Sequence, residues 1–269
     1  MLVQLKRRMM RVLFRVRLYV VFGATGTVES GGKLILERGV KLRGCRIYVQ
    51  SGATLRVEMS TKITDASIYL LSPGAQLSVG SECRISECLL TVRSGSLTLK
   101  NNCILEKGRS PSIPAYDIYG DASIGSHNRL RCSVLVRFRG CLTIGSRNVI
   151  NEGGEIRCDE SVDIGDYNQI SYDCSIWDTN THVIYDSETR RKMTDEQYPN
   201  FGFEVEKPRT RPVTIGSDCW IGKRASILKG CSISDKCILG YGVTLVGYSA
   251  SCNTTIVDQT TLRVITNNV

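Results

Sequence analysis

The chain holds only two histidines, and one of them stands where it could do chemistry. His182 opens a long stretch that lies between two regular repeats, six residues after Ile176, where the next aliphatic residue was due. A neutral imidazole near pH 7 is suited to act as a general base. Asp178 precedes it by four residues, close enough to hold the other ring nitrogen. Such a carboxylate would fix the tautomer and stabilise the imidazolium as it forms. Asp173 and Asp186 are less favoured candidates for that role. The other histidine, His127, follows Gly125-Ser126 at a corner and reads as a surface or ladder residue.

A base of this kind needs a rigid frame, and the frame is legible from Val213 to Leu245. Ile215, Ile221, Ile227, Ile233, Leu239 and Leu245 fall six apart without a slip. Neither a helix, with its period of 3.6, nor a strand, with its period of 2, repeats at six. A chain that turns one corner per hexapeptide does, with one aliphatic side chain per face pointing to a central axis. Small residues follow at the fourth position: Cys219, Ala225, Cys231 and Cys237. Gly216, Gly222 and Gly240 come directly after an aliphatic residue, where a tight corner or close backbone approach favours glycine. Internal periods of this type mark a β-solenoid.

A longer repeat runs upstream. Leu36, Val57, Val79, Leu99, Ile124, Ile144 and Ile164 recur at a spacing near 20, which is three hexapeptides plus a short extension at one corner. With the later hexapeptides this predicts an all-β parallel β-helix of about nine coils. Asn128, Asn148 and Asn168 recur with it, as a corner ladder that tolerates left-handed backbone. Two segments break the period. Lys107 to Tyr116, with two prolines, reads as a loop thrown out from a corner. The stretch 177–212 is the larger break, and a loop of that length in a compact solenoid needs a reason.

The bulk numbers agree with a thin aliphatic core: 42% hydrophobic residues but only 7% aromatic. The twelve cysteines include no C-x-x-C pair, and Cys83, Cys103, Cys219 and Cys237 each sit four residues after a repeat-starting aliphatic. They read as small buried hydrophobes and suggest a reducing, cytoplasmic setting. The net charge is +9, of which Lys6, Arg7, Arg8, Arg11, Arg15 and Arg17 supply six in an acid-free segment. The charge is therefore a basic end, which argues against nucleic acid as the main partner. Residues 1–22 read as a basic amphipathic helix, either capping the solenoid or touching anionic lipid at the inner face of a membrane. Residues 23–269 then form the β-helix, with the long loop inserted.

From Ile124 to Leu245 the chain resembles the hexapeptide-repeat acyltransferases. WDTNTHVIYD followed by RPVTIGSDCWIGKRASILKG is similar to the maltose and galactoside O-acetyltransferases and to relatives that acetylate capsule, O-antigen or exopolysaccharide sugars. The resemblance implies a left-handed parallel β-helix, a homotrimer with sites between subunits, and acetyl-CoA as cosubstrate without a metal. Left-handed coils depart from the usual crossover rule. Carried over, His182 would deprotonate a sugar hydroxyl for direct attack on the thioester, with a backbone N–H stabilising the oxyanion. No serine or cysteine is set beside it to suggest a covalent intermediate.

The resemblance also places Trp220, Lys223 and Tyr241 along the donor groove, and Asn151 and Glu152 near the acceptor. The family's phosphate-binding tail, with its lysine and its A-G-N-P-A-K element, is absent here. That task falls to Lys229, Arg263 or a neighbouring subunit. Arg190, Arg191 and Lys192 form a charge run in the long loop that would suit an anionic sugar or a lipid-linked diphosphate, or simply a solvated surface. The competing reading is a trimeric β-helix that serves as a scaffold or binding module without activity. A β-helical carbonic anhydrase is set aside, because two histidines 55 apart do not supply its three ligands.

Overall fold

The computed structural model describes residues 23–108, 114–199 and 206–259. The amphipathic segment 1–22 and Arg263 lie outside them. The chain winds as the expected left-handed parallel β-helix, each rung a triangle with three short strands. A representative rung runs Ser226–Leu228, Ser232–Ile233, Ile238–Leu239. Every strand pairs in parallel with its counterpart one rung away, as Ile221 does with Ile170 and Leu239. The third face is a ten-stranded sheet with one strand per coil. The other two faces merge into one seventeen-stranded sheet. They merge because Leu89–Leu99, Ala115–Ile124 and Ser133–Ile144 pass round the corner between them without ending.

Ten described coils exceed the nine read from the periodicity. The additional one is built from Thr244–Val246, Ser249–Ala250 and Thr255–Ile256. Its inward residues are Leu245, Ala250 and Ile256, so the hexad slips by one residue and the methyl group of Ala250 stands where the other rungs place a larger aliphatic side chain.

The six regular aliphatics from Ile215 to Leu245 all point inward and are buried. Of the two reasons for glycine after the aliphatic, close approach is the operative one at Gly222. A Cβ there would lie 2.7 Å from the backbone of Gly240 on the next rung. The positive φ angles fall two residues after Gly216, Gly222 and Gly240, on Asp218, Arg224 and Gly242.

The asparagine ladder is present and buried. Asn148 N–H donates to Asn128 Oδ1 and Asn168 N–H to Asn148 Oδ1, both at 2.8 Å, and Cys219 N–H closes the series on Asn168 Oδ1. The left-handed residues are those just before the asparagines, His127, Arg147 and Tyr167. The asparagines themselves act by hydrogen bonding. Cys83, Cys103, Cys219 and Cys237 are buried as expected.

One loop boundary shifts. The sequence reading ends the Lys107–Tyr116 excursion at Tyr116, but the strand Ala115–Ile124 already includes it and its side chain is wholly buried. Its neighbours Leu90 and Val134 align with it on adjacent rungs, which draws the ring into the core.

Candidate functional site

The long excursion leaves the first face after Ser175–Trp177 and returns at Val213–Ile215. Its two ends are zipped together at the base. Thr179 and Thr210 form an antiparallel bridge, Asn180 N–H donates to Arg209 O at 3.0 Å, and Arg211 N–H donates to Asp178 O at 2.9 Å. Beyond the base lies one exposed helix, α1 (Ser187–Gln197), capped by Asp186, whose carboxylate accepts from the backbone N–H groups of Glu188 and Thr189. Asp186 is thereby committed to the helix start, where negative charge is favoured. Arg190, Arg191 and Lys192 sit on α1 in solvent.

His182 is exposed and stands just outside the zipped base. Asp178 is fully buried below it. Its carboxylate accepts backbone N–H bonds from Asp159 at 2.8 Å, Glu160 at 2.7 Å and Ser161 at 2.8 Å. Burial pushes the Asp178 carboxyl above the usual range, and the three backbone donors, set against a nearby Asp159, hold it partly back. Sequence reasoning gave Asp178 to the imidazole; the geometry gives its oxygens to the corner of the rung below. It fixes where the excursion departs, and so where His182 stands.

Next to it is a pair that sequence reading missed. Arg137 grips the fully buried carboxylate of Asp159 with two hydrogen bonds, 3.1 Å from Nε and 3.0 Å from Nη2. The same Nη2 donates to Thr181 O at 3.5 Å, one residue before His182. Arg137 and Asp159 lie 22 apart in sequence, and only the rung geometry stacks them.

The remaining candidates gather elsewhere. Asn151, Glu152, Lys223 and Tyr241 occupy turns between the third face and the first. His182, Asp178 and Lys229 occupy turns between the first face and the second. Within one chain the two groups are separated by a whole face. Arg131 Nη1 donates to Asn151 Oδ1 at 3.4 Å and lies 3.7 Å from Glu152. Lys223 is 3.7 Å from Asp173, which places that alternative partner of the imidazole at the far corner too. Tyr241 accepts from Arg224 at 2.9 Å and is 64% exposed. Trp220, on the third face beside that corner, is 59% exposed and aligned with Gln169 and Ile238. Its indole therefore stands open on the surface of the third face.

Residues 212–247 match the family described as bacterial transferase hexapeptide (six repeats). The matched segment is the run of regular hexapeptides that builds the late rungs of the β-helix. Over 132 residues it is 30% identical to a probable acetyltransferase of Mycobacterium tuberculosis, a match covering 49% of the chain and 38% of that relative. Among solved structures it is similar to the polySia specific acetyltransferase NeuO, at 12% identity and a TM-score of 0.36, covering 87% of the chain and 80% of the other. An Arabidopsis UDP-N-acetylglucosamine acyltransferase gives 14% identity and a TM-score of 0.41, covering 87% and 69%. Scores this low have no bearing on activity. No group of three or more His, Cys, Asp or Glu able to hold a metal occurs among the described residues, and no described helix is long and apolar enough to cross a membrane.

Proposed function

We propose that the protein is an acetyl-CoA-dependent O-acetyltransferase acting on a saccharide hydroxyl, in the biosynthesis of a surface polysaccharide. The observation that carries this reading is the split site: an exposed imidazole at a pinned loop base on one corner, and an open Trp220 with Lys223 and Tyr241 on another. Two corners of one prism cannot close on one substrate. Two corners of neighbouring copies can, and a homotrimer supplies such a crevice three times while covering Trp220.

In that crevice His182 takes the proton from the acceptor hydroxyl as the oxygen attacks the thioester carbonyl. A backbone N–H stabilises the oxyanion, and the thiolate of CoA leaves with the proton returned by the imidazolium. Asp178 acts by placing the loop. Lys229 and Arg263 serve the CoA phosphates, and Asn151 with Glu152 face the acceptor. The twelve free cysteines suit a reducing cytoplasm, where the donor is made.

The test is acetyl-CoA turnover against a panel of sugar acceptors, with wild type beside His182→Ala. Loss on the order of a hundredfold supports the general base; an unchanged rate removes His182 from the mechanism. The absent lysine tail favours the scaffold reading instead. No rise in melting temperature at millimolar CoA would decide for it, because a ligand of the native state raises stability by mass action.

A further inference from the structure

The third face carries a second feature, distant from the loop. In its first rungs the outward residues align as Lys41, Lys62, Arg84, Ile104 and Arg129, each in register with the next. Successive rungs of a sheet lie about 4.8 Å apart, so these side chains form a single file. Arg43 lies beside Lys41 and Arg131 beside Arg129. Along these rungs the outward positions thus hold six cations, Lys41, Arg43, Lys62, Arg84, Arg129 and Arg131, and one acid, Glu106. Glu106 is taken by Arg129 at 2.7 Å and Arg131 at 2.8 Å. Lys41, Arg43, Lys62 and Arg84 make no ion pair with described residues. Other acids keep to the turns at the edges: Glu37, Glu58 and Glu82 on one side, where Glu37 pairs with Arg56 and Glu58 accepts from Ser81, and Asp65 and Glu87 on the other.

Like charges facing each other across adjacent strands destabilise a sheet. A file of them persists at a cost unless something anionic lies along it. A groove of about 460 Å³ lies against the middle of the file, lined by Lys62, Arg84 and Arg129, by the hydroxyls of Thr64 and Ser86, by Ile104, and by Glu106, which Arg129 and Arg131 already pair. The strands themselves carry no aromatic ring on which a nucleobase could stack, the usual device for single-stranded nucleic acid, and the turns beside them hold only His127 among the described residues. Hydroxyls beside cations instead suit sugars that bear carboxylates.

We propose that this column binds the anionic stretch of a carboxylated polysaccharide, laid along the solenoid axis. The proposal rests on the saccharide reading above for the identity of the polymer as acceptor. It adds that the acceptor is a charged chain held at a station apart from the reacting sugar, raising its local concentration at the site.

The experiment measures binding of the full chain, without any donor, to a polyuronate of defined length, to neutral dextran and to a single-stranded DNA of equal charge. Wild type is set beside Lys41→Ser/Lys62→Ser/Arg84→Ser, and beside Lys33→Ser/Arg46→Ser/Lys236→Ser, which removes the same charge elsewhere. The expected result is salt-sensitive polyuronate binding, weakened at least tenfold in the first triple variant and unchanged in the second. Equal loss in both variants, binding to dextran as tight as to polyuronate, tighter binding to DNA, or no polyuronate binding each overturns the proposal. Turnover gives a separate readout. The first triple variant should keep wild-type rates on a short acceptor and lose them on a long one. An inactive wild type that still binds polyuronate through the column would sink the transferase reading while leaving the column standing.

Discussion

The early and late coils share a core and almost nothing else. In both, every rung places aliphatic or small residues on the axis: Leu55, Val57 and Ile63 early, Ile221, Ile227 and Ile233 late. In both, a corner polar group bridges rungs. Thr61 accepts from Cys83 N–H at 3.0 Å and donates to Gly80 O at 2.7 Å, much as the asparagines do further on. The differences lie at the turns and on the surface. Early corners hold stacked glycines, Gly31, Gly52 and Gly74, at φ of 92°, 79° and 84°, linked by N–H to C=O bonds. Late corners are tighter and lack the additional residues. The third face is a file of cations early; from Val149 onward its strands show Val149, Gln169, Trp220, Ile238 and Thr255, none of them charged. A rung's inward residues set its stability, and leave its outward face and its corners open to other uses.

The strongest test of a shared core is cavity formation in each half. Ile63→Ala and Ile227→Ala should each cost about 2–5 kcal/mol in chemical unfolding. Both tryptophans, Trp177 and Trp220, lie in the later coils, so fluorescence watches that part and circular dichroism the whole. Coincident transitions in both variants would show the coils unfolding as one unit; separated ones would divide the solenoid.

The corners should differ where the core does not. His182→Ala is expected to lower turnover by about a hundredfold with little change in melting temperature, because the side chain is exposed. A large drop in melting temperature would mean that the ring is structural. Asn148→Ala is expected to destabilise by about 1–3 kcal/mol, since it strands Asn168 N–H and Gly165 O inside the corner. Thr61→Ala should fall in the same range; a negligible effect there would mean that the early corners rest on their glycines.

The smallest effect concerns pH, and its sign differs between the regions. For Glu106, burial raises the carboxyl, but hydrogen bonds from Arg129 and Arg131 outweigh it and leave the group below its usual range. The stability it confers is present above the unfolded carboxylate pKa and is lost as pH falls through the lower folded value. Asp178 is raised by burial, so its charge weighs against the fold above the raised value. That penalty fades as pH falls through it and is gone below the unfolded value. Glu106→Gln should therefore flatten the acid limb of the melting curve, while Asp178→Asn should steepen it. The same slope in both variants would refute the assignment.

The hexad made the fold legible because one inward side chain per face is a demand the chain must meet at every turn. It gives one coil fewer than the fold holds because Ala250 meets that demand with a single methyl group, one residue out of step. The excursion after Ile176 is legible as an interruption, and His182 as its one histidine. Asp178 was found, but for a different task. Its partners are backbone N–H groups of residues 159–161, which carry no side-chain signature. Arg137 and Asp159 were invisible for a related reason: a corner admits any residue that reaches its neighbour one rung away.

What the linear order determined alone was the rung, since a repeat of inward apolar residues leaves few ways to hide them from water. What only the folded chain decided was adjacency across rungs. Parallel stacking brings residues about 20 apart in sequence to within one strand spacing, and so lined up Lys41, Lys62 and Arg84. The same stacking put the imidazole on one corner and the open indole on the third face, beside another corner. Periodicity records which side chains turn inward, but it is the closure of each turn upon the last that selects the neighbours of those turned out.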